Sequence, residues 1–234
     1  MESWKSWPSM AAYVEGNPMR TASGAWAAPN STSTLNNLTA LAHWFDVIRP
    51  QCTLEIGLAF GASATLFCEL HRKQGQAGRH HAVDPFQVQH WGDAARLHLQ
   101  EQKLDPWFEF HLDFSSQTLP KLLAEKQQFG MIYVDGSHLF EDVLVDFYFA
   151  HQLVSLGGML AFDDSGDPHV RKVIRFIRRN FASIYEEHSP YAITRPSSGP
   201  GFRLAARLLH RQQLPLFRKK KDGSRDWNTP FRDF

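Results

Sequence analysis

Short apolar segments alternate with amphipathic ones from residue 53 to residue 180, and four of the short segments end in an acid or an acid–glycine turn. That alternation constrains the fold more than any other feature. Brief β-branched and aromatic runs are strand-like, and the pieces between them carry helical spacing. The spacing predicts strands at Thr53–Ile56, His80–Val83, Trp107–Leu112, Met131–Val134 and Met159–Phe162. Helices are expected over Leu35–Ile48 (capped from Ser31–Thr34 and stopped by Pro50), Ala62–Arg72, 90–103, Leu119–Lys126, 139–155 and Val170–Asn180. Two late strands, Ile184–Glu187 and Phe202–Ala206, flank a Pro/Ser/Gly loop and predict an antiparallel hairpin. Strands alternating with helices indicate an α/β fold: a doubly wound, Rossmann-like, mostly parallel sheet with helices on both faces.

Composition bounds the rest. The chain has 234 residues, 43% hydrophobic and 21% charged, enough apolar material for one sizeable core. No apolar run reaches the length of a membrane helix. The start, MESWKSWPSM, lacks a basic stretch followed by an apolar one, so no signal peptide is expected. Cys52 and Cys68 are too few for a disulfide scaffold or a zinc ribbon, and reduced thiols in a cytoplasmic protein are the expectation. Residues 1–170 hold 10 Lys and Arg against 19 Asp and Glu, whereas residues 171–234 hold 15 against 5. An acidic body therefore carries a basic C-terminal quarter. A nucleic-acid-binding module through Arg171, Lys172, Arg175, Arg178, Arg179 and the run Arg218–Lys221 is one rival reading. No RNA-binding aromatic motif accompanies these residues, so nucleic acid is not the expected partner. Three segments are expected: an N-terminal arm or lid (1–34), the sheet domain (35–210) and a basic C-terminal arm (211–234). That arm is anchored by Phe217, Trp227, Phe231 and Phe234 and adds little to the core. A homodimer is the default assembly.

In an open α/β sheet, ligands bind beyond the carboxyl ends of the strands, so the strand-end acids gather at one edge. They are Glu55-x-Gly57, Asp84-Pro85, Asp135-Gly136 and Asp163-Asp164. The first turn, Glu55-Ile-Gly57-Leu-Ala-Phe-Gly61, lets the backbone approach a ligand and opens a helix that begins around Ser63. It is neither Gly-x-Gly-x-x-Gly nor a P-loop, which counts against the rival reading of an NAD-type oxidoreductase. Asp84 stands one βαβ unit after Glu55, where an acid can accept the hydroxyls of a ribose.

The form Glu-x-Gly-x-x-x-Gly resembles the first motif of class I S-adenosylmethionine-dependent methyltransferases. Met131-Ile-Tyr-Val-Asp135-Gly-Ser-His138 and Leu156-Gly-Gly-Met-Leu-Ala-Phe-Asp163-Asp164 together resemble the paired signature of a bacterial family of small-molecule O-methyltransferases, related to macrocin-type and catechol-type enzymes. The resemblance implies a seven-stranded sheet of order 3-2-1-4-5-7-6 with the last strand antiparallel. It implies S-adenosylmethionine across Glu55, Gly57, Gly61, Ser63, Asp84, Asp113, Phe114 and Asp135, with Phe114 on the adenine. It further implies a magnesium-type ion on Asp135, Asp163 and Asp164, a small hydroxylated acceptor, and His138 as base. His169, after the fifth strand, is the second candidate base. His80-His81 opens a strand and reads as structural.

Overall fold

The five central apolar runs become strands. The structure, a computed structural model, describes residues 6–75, 78–194, 213–223 and 225–234. β1 (Cys52–Ile56), β2 (Arg79–Val83), β3 (Phe108–His111), β4 (Phe129–Val134), β5 (Val154–Phe162), β6 (Tyr185–His188) and β7 (Leu216–Lys219) form one sheet. The order is 3-2-1-4-5-7-6. β1 to β5 run parallel, and β7 is antiparallel to both β5 and β6. This is the expected Rossmann-like architecture.

The longer helices, which flank the sheet, are α1 (Leu35–Ile48), α2 (Ala62–Gln74), α3 (Ala94–Glu101), α4 (Ser115–Ala124), α5 (Phe140–Leu153) and α6 (Pro168–Asn180). α1 starts where Thr34 accepts the Asn37 N–H and stops at Arg49, whose φ of 51° precedes Pro50. α6 starts where Asp167 accepts the N–H groups of His169 and Val170, with Pro168 in its first turn. Side chains alternate across the sheet. β4 therefore sends Ile132 and Val134 into a layer with α4, α5 and α6, and Met131 and Tyr133 into a layer with α1 and α2. Burial on both faces is what makes these strands continuous apolar runs.

The N-terminal segment docks on the second of these layers. Trp7 and Met10 are buried against α1 and α2, and the Tyr13 hydroxyl donates to the Phe60 carbonyl at 2.8 Å. Trp26 stands out into solvent.

The C-terminal quarter differs from expectation. Phe202–Ala206 lies outside the described residues. The seventh strand is instead Leu216–Lys219, inserted between β5 and β6. Leu214, Leu216 and Phe217 are fully or almost fully buried, so residues 214–219 belong to the core rather than to an arm. Lys219 is also buried, and its ammonium donates to the carbonyls of His151 (3.2 Å) and Val154 (2.9 Å) where α5 gives way to β5. Those carbonyls lack helical partners, and a cation satisfies them well. Further on, Phe231 and Phe234 pack on Phe176, whereas Trp227 is exposed and anchors nothing.

Candidate active site

The strand order reverses between β1 and β4, and such a switch point opens a crevice beyond the strand ends. Here it is a cavity of about 720 Å³, within the usual range for a small-ligand site. Gly57 marks its floor. Its φ is +91°, and a Cβ there would lie 2.1 Å from the Asp135 carbonyl oxygen. Only glycine lets the loop after β1 pass this close to the end of β4.

The predicted binding residues divide. Gly57, Ser63, Asp84, Phe114 and Asp135 line the cavity. Gly61 does not: it caps α2 and packs against Ala95, where a Cβ would clash at 2.7 Å. Glu55 is fully buried beneath the wall, 3.4 Å from the His80 ring nitrogen. Burial, with the Asp84 charge adding to it and a Ser63 hydrogen bond opposing it, pushes the Glu55 carboxyl well above the usual range. Asp113 also lies off the cavity. It accepts from its neighbour's N–H and from Lys121 at 3.0 Å, a lysine one helix length away.

Asp84 does more than wait for a ligand. One oxygen accepts the N–H groups of Leu58 and Ala59, both at 3.1 Å, and the other accepts Phe86 N–H at 2.7 Å. It thereby fixes the loop after β1 as well as presenting a carboxylate to the cavity. Phe86 and Phe114 meet edge to face at 5.8 Å beside Ser115 and Ser116. Facing them is Asp146, which sequence reasoning missed. It is buried on the cavity wall, one carboxyl oxygen has no partner, and burial lifts its pKa to about 7. A signal was present: Asp146 falls on the apolar stripe of α5 with Val143, Phe147 and Ala150.

The acids expected to hold a cation are arranged otherwise. The Tyr133 hydroxyl lies between Asp135 (3.0 Å) and Asp163, with which it makes a very short contact. Ser33 adds contacts to Tyr133 (2.9 Å) and Asp135 (3.3 Å). Asp163 also accepts Asn37 Nδ2 and the Asp164 N–H, each at 2.8 Å. One phenolic proton cannot serve two carboxylates, so this chain closes when one carboxyl is itself protonated. Burial and then the Asp163 charge hold the Asp135 carboxyl well above the usual range, and burial raises Asp163 as well. Asp164 turns away, with a φ of +46°, toward His138 Nε2 at 3.3 Å. The ligand atoms of Asp135, Asp163 and Asp164 do not all come within 4.8 Å of one another. In this arrangement organic donors occupy Asp163: a phenol, an amide and a backbone N–H.

His138 lines the cavity half-exposed, with Asp164 on one ring nitrogen and Asp167 3.9 Å from the other. His169 is exposed outside the cavity; its backbone N–H merely completes the α6 cap. Only His138 of the two could serve as base there. Ser31–Thr34 complete the wall, so the N-terminal segment does reach the site.

Residues 54–165 match a family model described as a methyltransferase domain. No curated protein matches the sequence. Among solved structures, the chain is similar to an O-methyltransferase from Bacillus cereus in complex with SAH: 20% identity over 68% of this chain and 76% of that one, TM-score 0.57. It is also similar to the O-methyltransferase TomG from Streptomyces achromogenes, involved in tomaymycin synthesis and solved with SAM, at 16% identity over 94% and 92%, TM-score 0.61. Cofactor-bound Rv0187 from MTB is similar at 15% identity over 92% and 89%, TM-score 0.62.

Proposed function

We propose that this chain, whose residues 54–165 match a methyltransferase-domain model, is an S-adenosylmethionine-dependent O-methyltransferase of a small hydroxylated acceptor. The observation that carries the reading is the cavity at the switch point, floored by Gly57 and walled by Asp84, Phe114, Asp135 and His138. The Bacillus cereus and Streptomyces achromogenes enzymes, which share the fold, bind SAH and SAM.

Each residue then has a task. Asp84 takes the ribose hydroxyls, since the oxygen that accepts Phe86 N–H keeps a lone pair free. Phe114 and Phe86 offer ring surface to the adenine, and Asp146 with Ser115 and Ser116 meets its polar edge. Gly57 and Ser63 admit the methionine end. S-adenosylmethionine supplies an electrophilic methyl group on sulfur, which an acceptor oxygen attacks in line. His138 takes the proton from that oxygen. With its Nε2–H turned to Asp164, its Nδ1 carries the lone pair, and the Asp164 charge stabilises the imidazolium that forms. The protonated Asp135–Tyr133–Asp163 chain keeps the wall beside it polar without adding two negative charges.

The test is methyl transfer from labelled S-adenosylmethionine to a panel of phenols, catechols and hydroxylated alkaloid-like compounds, with and without chelator. Turnover that persists in chelator is the expected result. A divalent ion on Asp135, Asp163 and Asp164 is the second reading, favoured by the placement of all three on one cavity wall. Turnover lost in chelator and restored by magnesium would establish that reading and displace His138. No cofactor binding by calorimetry would refute both.

A further inference from the structure

We infer that His81, Glu109 and His111 form a metal site of the zinc class at the edge of the sheet, apart from the cavity. None of the three lines that cavity. The register brings them together. His81 on β2 pairs with Glu109 on the edge strand β3, and His111 lies two residues beyond Glu109 on the same face. His80, next in sequence, points to the opposite face, against Phe67 and Glu55. The two histidines that read alike as structural are therefore different in kind.

The geometry is specific. His81 Nδ1 and His111 Nε2 share a hydrogen bond at 3.3 Å, whose proton an ion would displace, and Glu109 Oε1 lies 3.7 Å from the first and 3.8 Å from the second. A point equidistant from three atoms so spaced lies about 2.1 Å from each, the length of a zinc–imidazole or zinc–carboxylate bond. It is the one group of three such side chains among the described residues whose ligand atoms all lie within 4.8 Å. Two imidazoles and a carboxylate suit a borderline ion such as zinc better than magnesium or calcium. The second oxygen of Glu109 is held by Arg79 at 3.1 Å, which orients the carboxylate. Glu109 and His111 are partly exposed, leaving a path in for the ion and room for a fourth ligand from solvent.

The site has a structural consequence. β3 has a neighbour on one side only, and an ion held across β2 and β3 ties that edge strand down. It also steadies the segment from His111 to Phe114 that leads to the cavity mouth. The experiment uses the untagged full chain, stripped with chelator, then titrated with zinc ion by calorimetry and with cobalt(II) by visible absorption. Glu109→Gln and His111→Ala are the variants, because both positions are more exposed than His81 and tolerate change; circular dichroism checks their fold. One zinc per chain is expected, with affinity reduced about tenfold or more in each variant. A tetrahedral cobalt spectrum is expected in wild type and not in His111→Ala. Zinc should raise the melting temperature of wild type more than that of Glu109→Gln at the same zinc concentration. No stoichiometric zinc in wild type, or equal affinity in wild type and both variants, would overturn the inference.

Discussion

Asp146 imposes a cost on the folded chain that can be measured. Its carboxyl is buried on the cavity wall with one oxygen unpartnered, and its pKa rises from 3.8 to about 7. The unfolded chain releases this proton near pH 4, whereas the folded chain keeps it to about pH 7. Folding therefore takes up a proton between those values, and stability falls as pH rises across that window, then levels off. A gap of about three units corresponds to about 4 kcal/mol at full ionisation. Asp146→Asn has the same shape and no titration. In urea unfolding followed by tryptophan fluorescence, the variant's stability relative to wild type should climb by about 4 kcal/mol from pH 4 to pH 7.5. Taking the difference between the two curves cancels the other buried acids, Glu55 and Asp135 among them. A residue kept at such expense on a cavity wall fits a ligand contact. If the free oxygen accepts an N–H of the nucleoside, S-adenosylmethionine should bind wild type more tightly as pH rises through 7 and bind Asp146→Asn with no such slope. Parallel stability curves for the two proteins would refute the burial argument, whatever the binding data show.

Three further outcomes are expected. Asp84→Ala should weaken S-adenosylmethionine binding in calorimetry by about 1–3 kcal/mol, the scale of a lost charge-assisted hydrogen bond, and should also loosen the Leu58–Ala59 loop, seen as faster amide exchange there. His138→Ala should lower kcat by about 10²–10⁴ with cofactor affinity unchanged; a wild-type rate would remove His138 as base. Truncation after Gln213 should yield an insoluble or unfolded chain, because it deletes β7 and leaves β5 and β6 without their shared neighbour; a soluble, cooperatively melting fragment would contradict the buried placement of Leu216 and Phe217.

The parallel core was legible because its strands are buried on both faces and read as short apolar runs. Boundaries moved by a few residues: α4 begins at Ser115 rather than Leu119, and β5 begins at Val154 rather than Met159. β7 was hidden for a physical reason. Its two apolar residues are followed by Arg218 and three lysines, a sequence that reads as a solvated tail. Nothing local says that Lys219 turns inward to two carbonyls at the end of α5, since those acceptors lie more than sixty residues away in the chain.

At the site, residue types were legible and partners were not. Convergence of Asp135 and Asp163 follows from topology, because β4 and β5 are neighbours that end together. Whether two convergent carboxylates take a metal or share a proton depends on what stands between them. Here that is Tyr133, a strand residue whose periodicity marks it only as inward-facing, helped by Ser33 and Asn37 at the start of α1. Thr34 and its neighbours read as a helix cap, and Thr34 is one; the same turn also lines the cavity. A capping segment and a binding wall draw on the same small polar residues, so the cap reading concealed the second role. The outcome bears directly on mechanism. Asp163 already accepts from a phenol, an amide and a backbone N–H, and Asp164 faces His138. On the function proposed above, His138 is the group on that wall assigned to take the acceptor's proton.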